Sequence, residues 1–351
     1  MFRHAWYALF AMKYKAPIWL PGGNLQTIWP ALMSRRVSAK CPQYHRQRLT
    51  TPDGDFVDVD WLDQGSNNSA NNTLLVLFHG LEGSSRSHYA GAFADYAAQN
   101  GLDYVVPHFR GCSGEINLAP RAYHSGDFEE VGWLLKTLQA EHAIRGGQQV
   151  LAVGVSLGGN ALLRWAEEWG DSAANVARAV AAVSSPVDLA AGGRAIGQGF
   201  NRQIYTRMFL RSMKPKALRK LAQHPGLFDR DALMNARDLY AFDNVFTAPL
   251  HGFKNTDDYW LRASAKPHLR QIKIPALVVN AQNDPFVPAS CLPSAKEVGP
   301  FVTLWQPRDG GHVGFAQGRP PGHVLSMPQA VGDWLRQHAS DKSPREHVNH
   351  G

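Results

Sequence analysis

The pentapeptide GVSLG at 154–158 is where this 351-residue sequence could do chemistry. Alone it says little, because Gly and Ser are common. Its flanks give it weight. VLAV at 150–153 is an apolar run suited to a buried strand, and GNALLRW at 159–165 reads as a helix. Strand, Ser156 and helix form a nucleophile elbow. A bulky side chain beside Ser156 would clash in so sharp a turn, hence the flanking glycines. The helix start then turns free N–H groups and its positive dipole end toward any negative charge that develops. The bland alternative is a strand-to-helix turn that happens to hold a serine.

A serine hydroxyl is a weak nucleophile and needs a base and an acid that orients it. On an elbow of this kind the chain order is Ser, then Asp or Glu, then His. Asp284 lies in AQNDP (281–285), just past the end of a strand over 276–280. Asp188, in SPVD at 185–188, follows the preceding strand and is its rival. Asp309 is close in sequence to the base and is a weaker choice. Among 15 histidines, His312 follows the last strand in DGGHVGF (309–315), where glycines let the loop fold back toward Ser156. His323 is the rival, in a Pro-Pro-Gly loop.

The oxyanion of acyl transfer needs two N–H donors. Leu157 supplies one, as the residue after the nucleophile. The other is expected from Leu81, in FHGLEGSS at 78–85. His79 in that loop is read as structural, hydrogen-bonding within it.

These residues need a scaffold. RLT (48–50) and FVDVDW (56–61) around Pro52-Asp53-Gly54 predict a β-hairpin. Short apolar runs then recur at 73–78, 104–106, 150–155, 179–183, 276–280 and 302–305, and helical patterns separate them at 86–99, 125–141 and 157–169. A last helix is expected over 326–338. This alternation predicts an α/β fold with a doubly wound, mostly parallel sheet. Residues 17–34 read as an extended, punctuated segment followed by a short helix at most.

The domain reading has five parts. Residues 1–46 wrap the molecule, 47–189 form the first part of the core, and 190–267 form a helical lid insertion. Residues 268–339 complete the core, and 340–351 are a polar tail.

Composition sets further bounds. Hydrophobic residues make up 44% and charged residues 19%, so a folded core is expected and disorder is excluded. The net charge of +7 is mild for this length and does not specify a nucleic-acid binder. Cys41, Cys112 and Cys291 are few, odd in number and far apart, which points to a reducing compartment and a cytoplasmic protein. No stretch is long and apolar enough for a membrane span. Trp6, Tyr7, Leu9 and Phe10 are read as packing on the domain, with a peripheral membrane contact as the alternative. There is no G-x-x-x-x-G-K-[ST] or strand-linked G-x-G-x-x-G, and no H-E-x-x-H or C-x-x-C. No cofactor and no metal are therefore expected.

Taken together, these motifs resemble the YheT-like family of α/β-hydrolases, which is related to the α/β-hydrolase-domain lipases of eukaryotes. The resemblance rests on PGGNLQT (21–27), FHGLEGSS (78–85), FRGCSG (109–114), YHSGD (123–127), GVSLGGN (154–160), NDP (283–285) and GGHVGF (310–315). It implies an α/β-hydrolase fold and a carboxylic-ester hydrolase with its triad on Ser156, Asp284 and His312. The expected partner is a small-molecule ester with an apolar acyl chain. Two other readings share the fold: an acyltransferase using the same triad with an alcohol acceptor, and a non-catalytic binding protein.

The lid carries Arg202, Arg207, Arg211, Lys214, Lys216, Arg219 and Lys220 and, over 201–224, no Asp or Glu. Pro215 is expected to split it into two short helices whose apolar faces roof the acyl pocket. Its basic residues are expected to face water, or to rest on anionic lipid.

Overall fold

The computed structural model describes residues 13–38, 41–63 and 72–340. The N-terminal aromatics Trp6, Tyr7, Leu9 and Phe10, most of the polar loop after residue 63 and the polar tail lie outside them.

The expected hairpin forms first. β1 (Tyr44–Thr50) and β2 (Phe56–Leu62) pair antiparallel, Thr50 opposite Phe56, across the turn that contains Asp53 and Gly54. The apolar runs become β3 (Thr73–Phe78), β4 (Asp103–Pro107), β5 (Gln149–Val155), β6 (Ala179–Val183), β7 (Ala276–Val279) and β8 (Val302–Trp305). The eight strands form one sheet in the order β1-β2-β4-β3-β5-β6-β7-β8, parallel from β4 to β8.

Both faces of the sheet are covered. Val150 and Ala152 of β5 pack beneath helices Phe128–Ile144 and Leu157–Trp169. Leu151, Val153 and Val155 face helices His88–Gln99 and Ser326–Ser340. Strands buried on both sides explain the unbroken apolar runs in the sequence. The carboxyl ends of the parallel strands open together onto one crevice, where ligands of such sheets bind.

Between β6 and β7 the chain leaves the sheet and builds helices over that crevice, from Leu189–Ile196 to Thr256–Ala263. Pro215 does not split this region. It lies inside one helix, Arg207–Gln223, which corrects the expectation of two short helices. Proline has no N–H for the carbonyl of Arg211, but Arg211 is on the exposed side of the helix, where the lost bond costs less than in the core. The expectation that all the basic residues face water is also corrected. Lys216 and Lys220 turn inward.

The segment before β1 also differs from its reading. Gly22–Leu32 is an 11-residue helix, although it contains two glycines and Pro30. Contact with the loops after β7 and β8 holds it, more than propensity does. No helix among the described residues is long and apolar enough to cross a membrane.

Candidate active site

Ser156 follows β5 directly and has φ 53° and ψ −120°, a conformation rare for a non-glycine residue. The glycines beside it are steric necessities. A Cβ on Gly154 would lie 2.4 Å from the Gly158 carbonyl oxygen, and one on Gly158 would lie 2.5 Å from those of Phe78 and His79. The Ser156 N–H donates to the Val183 carbonyl at 2.8 Å, which ties the turn to the next strand.

The loops after β7 and β8 bring two groups to this serine. His312 Nε2 lies 3.0 Å from Ser156 Oγ. His312 Nδ1 lies 2.9 Å from Asp284 Oδ2, so Nδ1–H donates to the carboxylate and Nε2 is left to accept from the hydroxyl. The other Asp284 oxygen accepts the N–H groups of Phe286 at 2.7 Å and Val287 at 3.3 Å. The Phe286 ring covers the imidazole, with centroids 4.2 Å apart. Asp284 is 4% exposed and His312 8%, so both are shielded from water.

The rivals are placed elsewhere. Asp188 caps helix Leu189–Ile196, accepting the Ala191 N–H. Asp309 accepts from Asn283 Nδ2 at 3.3 Å. The backbone of His323 pairs with Arg35 and Gln317. Fully buried His79 donates from Nδ1 to the Gly80 carbonyl, and its Nε2 accepts the Phe109 N–H at 3.0 Å. Burial first, and then the neighbouring His108, push its pKa down to about 3, so it stays neutral and structural.

The loop after β3 passes against the nucleophile. A Cβ on Gly80 would lie 3.1 Å from Ser156 Cβ. Leu81 and Leu157 line the same cavity as Ser156 and His312. This cavity holds about 1180 Å³ of empty space, its open mouth included. Leu189, Ile196, Phe209, Phe242 and Phe246 from the covering helices give it an apolar wall. One acid interrupts that wall. Asp243 accepts from Thr247 Oγ1 at 2.6 Å and Trp260 Nε1 at 2.9 Å, and burial pushes its pKa up to about 6.

Sequence reasoning missed the supports of the histidine loop. Gln26 Oε1 accepts the Gly310 N–H at 2.8 Å and Asn283 Nδ2 at 2.9 Å. Thr27 Oγ1 accepts the His312 N–H at 2.9 Å, and Asn283 Oδ1 accepts the Gly311 N–H at 3.0 Å. One short helix thus braces both the acid loop and the base loop. The signal was the polar Gln26-Thr27 pair, hidden behind the punctuated reading that Pro21, Gly22 and Gly23 gave this segment. Among the described residues no cluster of His, Cys, Asp or Glu has the arrangement of a metal site.

The fold and this crevice define the class. The α/β-hydrolase fold model matches residues 73–318, and the chain belongs to that family. It is an enzyme of the hydrolase class. It is 39% identical to the candidate esterase YheT of Escherichia coli (strain K12), over 91% of this chain and 92% of that protein. It is 29% identical to phospholipase ABHD3 of Mus musculus, over 92% of this chain and 78% of that one. Among solved structures it resembles the Pyrococcus furiosus esterase Pf2001, with a TM-score of 0.51 at 18% identity, covering 88% of this chain and 97% of the other. This last likeness concerns the fold.

Proposed function

We propose that this hydrolase cleaves carboxylic esters of short- or medium-chain acyl groups, acylglycerols among them, with Ser156, His312 and Asp284 as its catalytic triad. The observation that carries the reading is the hydrogen-bond chain of 3.0 Å and 2.9 Å from Ser156 Oγ through His312 to Asp284. The apolar cavity beside the serine and the esterase and phospholipase names of the relatives support the substrate class.

As Ser156 Oγ bonds to the ester carbonyl carbon, His312 Nε2 takes its proton. Asp284 holds the tautomer and stabilises the imidazolium. The N–H groups of Leu81 and Leu157 receive the oxyanion; a single donor of this kind is worth roughly 10²–10³ in kcat. The C–O bond to the alcohol then breaks, and His312 returns the proton to the leaving oxygen. Water attacks the acyl-enzyme with His312 again as base, releasing the acid and restoring Ser156.

The unpaired cysteines Cys41, Cys112 and Cys291 support a reducing, cytoplasmic setting. The proposal includes peripheral contact with anionic lipid through the exposed side of helix Arg207–Gln223 and the turns before it. The test is labelling by a fluorophosphonate. Wild type is labelled and Ser156→Ala is not; labelling that persists in the variant overturns the assignment.

A further inference from the structure

Glu82 occupies the third position of the turn closed by the Gly83 N–H to the Gly80 carbonyl, at 2.9 Å. Its φ is +58°, where such turns favour Gly or Asn. A residue with a side chain stays there only if its surroundings hold it. The preceding residue is Leu81, the proposed oxyanion donor.

The hold comes from two directions. Tyr123 Oη accepts the Glu82 backbone N–H at 3.0 Å and donates to Glu82 Oε1 of the same residue at 2.9 Å. One hydroxyl thus fixes both the peptide and the side chain of Glu82. Tyr123 is itself held by stacking on Phe109, with centroids 5.4 Å apart. The second direction is from above. Lys216, on helix Arg207–Gln223, places Nζ 3.0 Å from both Glu82 oxygens. The Glu82 side chain is only 10% exposed, so its charge has little water to rely on and Lys216 supplies the counter-charge. Glu82, Tyr123 and Lys216 all line the cavity that holds Ser156.

One turn further along this helix, Lys220 Nζ donates to the Asn117 and Ala119 carbonyls. Two lysines therefore tie the covering helix to the floor, one to the loop before Tyr123 and one to the turn that carries Leu81.

We propose that Lys216 is a positioning residue for the oxyanion site: it completes the Tyr123–Glu82 pin, so the turn Gly80–Gly83 holds its catalytic form only while helix Arg207–Gln223 is seated. This rests on the triad reading above. An oxyanion donor acts on the transition state more than on the bound ester, so a loosened pin lowers kcat and leaves KM in place. The seat of the covering helix and the competence of the chemistry then become one property.

The test uses the full-length protein and a small soluble nitrophenyl ester. Lys216→Met keeps the apolar stem and removes the charge. Tyr123→Phe removes a single oxygen and is the milder change should the first variant not fold. Each is expected to lower kcat at least fivefold with KM within twofold of wild type. The double variant is expected to fall no further than the worse single one, because both break the same pin. A smaller kcat loss, a loss shared with KM, or multiplied losses in the double variant overturns the proposal. Ser156→Ala, measured alongside, separates this from the parent reading: if it keeps turnover, the triad itself is wrong.

Discussion

The backbone N–H of His312 donates to Thr27 Oγ1 at 2.9 Å, a contact made across 285 residues of chain. It ties the imidazole loop to helix Gly22–Leu32. Thr27→Val keeps the shape and removes both the acceptor of the His312 N–H and the hydroxyl that donates to the Gly23 carbonyl at 2.7 Å; the unpaired buried N–H alone costs about 1–3 kcal/mol. Steady-state kinetics on a soluble ester should show kcat lowered by ~10-fold, because small misplacements of a base are costly. Thr27→Ser should recover most of it. Equal kinetics for Val and Ser at this position would remove the brace from the mechanism.

Ser156→Ala should lose ester hydrolysis while keeping its melting temperature, since the hydroxyl faces the cavity. Asp284→Asn should fold and lose kcat by roughly 10³–10⁴-fold, as the amide favours the wrong imidazole tautomer. Asp188→Asn should stay near wild type in turnover, because Asp188 caps a helix. The reverse order between the two Asp variants would reassign the acid.

Gly158→Ala tests the elbow. The added Cβ would lie 2.5 Å from two backbone oxygens on the strand-to-loop crossing at Phe78 and His79. Backbone cannot step aside cheaply, so the expected loss is ~2 kcal/mol or more of stability together with activity. Chemical denaturation measures it. A fully stable, active variant would show that the elbow is looser than its contacts imply.

The sheet was legible in the sequence because each parallel strand is buried on both faces and writes itself as an apolar run, as TLLVLF does at β3. Ser156, Asp284 and His312 were legible as positions at strand ends, since chain order and the loop glycines are local features. The brace was not. Gly22, Gly23 and Pro30 gave an extended, punctuated reading with a short helix at most, and the 11-residue helix exists through partners far away in sequence. A Cβ on Gly23 would sit 1.8 Å from the Asn283 carbonyl oxygen, a constraint invisible without the fold. Lys216 and Glu82 were hidden differently. Charged residues on an amphipathic stretch default to solvent, and only tertiary packing turned Lys216 inward to meet a carboxylate 134 residues away.

Asp243 makes stability depend on pH. Burial raises its pKa from 3.8 to about 6, so the folded state prefers the neutral acid. At pH values below the unfolded value both states are protonated and nothing is lost. Between about pH 4 and 6 the unfolded acid ionises while the folded one stays neutral, so stability falls, and above pH 6 the full loss of about 3 kcal/mol is in place. Asp243→Asn can keep both hydrogen bonds and does not titrate. Its melting temperature should match wild type near pH 4 and exceed it by a few degrees at pH 8. A difference that does not change with pH would refute this account of Asp243.

The lipid contact rests on the outer side of the covering helices. Phe200, Ile204 and Met208 are exposed in succession along the turns that lead into helix Arg207–Gln223 and at its start, with Ile204 inside a π-helical turn over Arg202–Thr206. Arg202, Arg207 and Arg211 are exposed among them, whereas Lys216 is occupied by Glu82. Apolar side chains entering the interface and cations attracted to anionic headgroups would act together. Vesicles of phosphatidylcholine and phosphatidylserine should therefore bind the protein at low salt. Binding should weaken as salt is added, because the screening length shortens to about 10 Å at 0.1 M. Replacing Arg202, Arg207 and Arg211 with Gln should remove most of the salt dependence, whereas Phe200→Ser with Met208→Ser should weaken binding at every salt concentration. Both sets should leave hydrolysis of a small soluble ester nearly unchanged, since none of these five residues lines the cavity. No sedimentation with anionic vesicles at low salt would assign this surface to solvent alone and leave substrate choice to the apolar cavity.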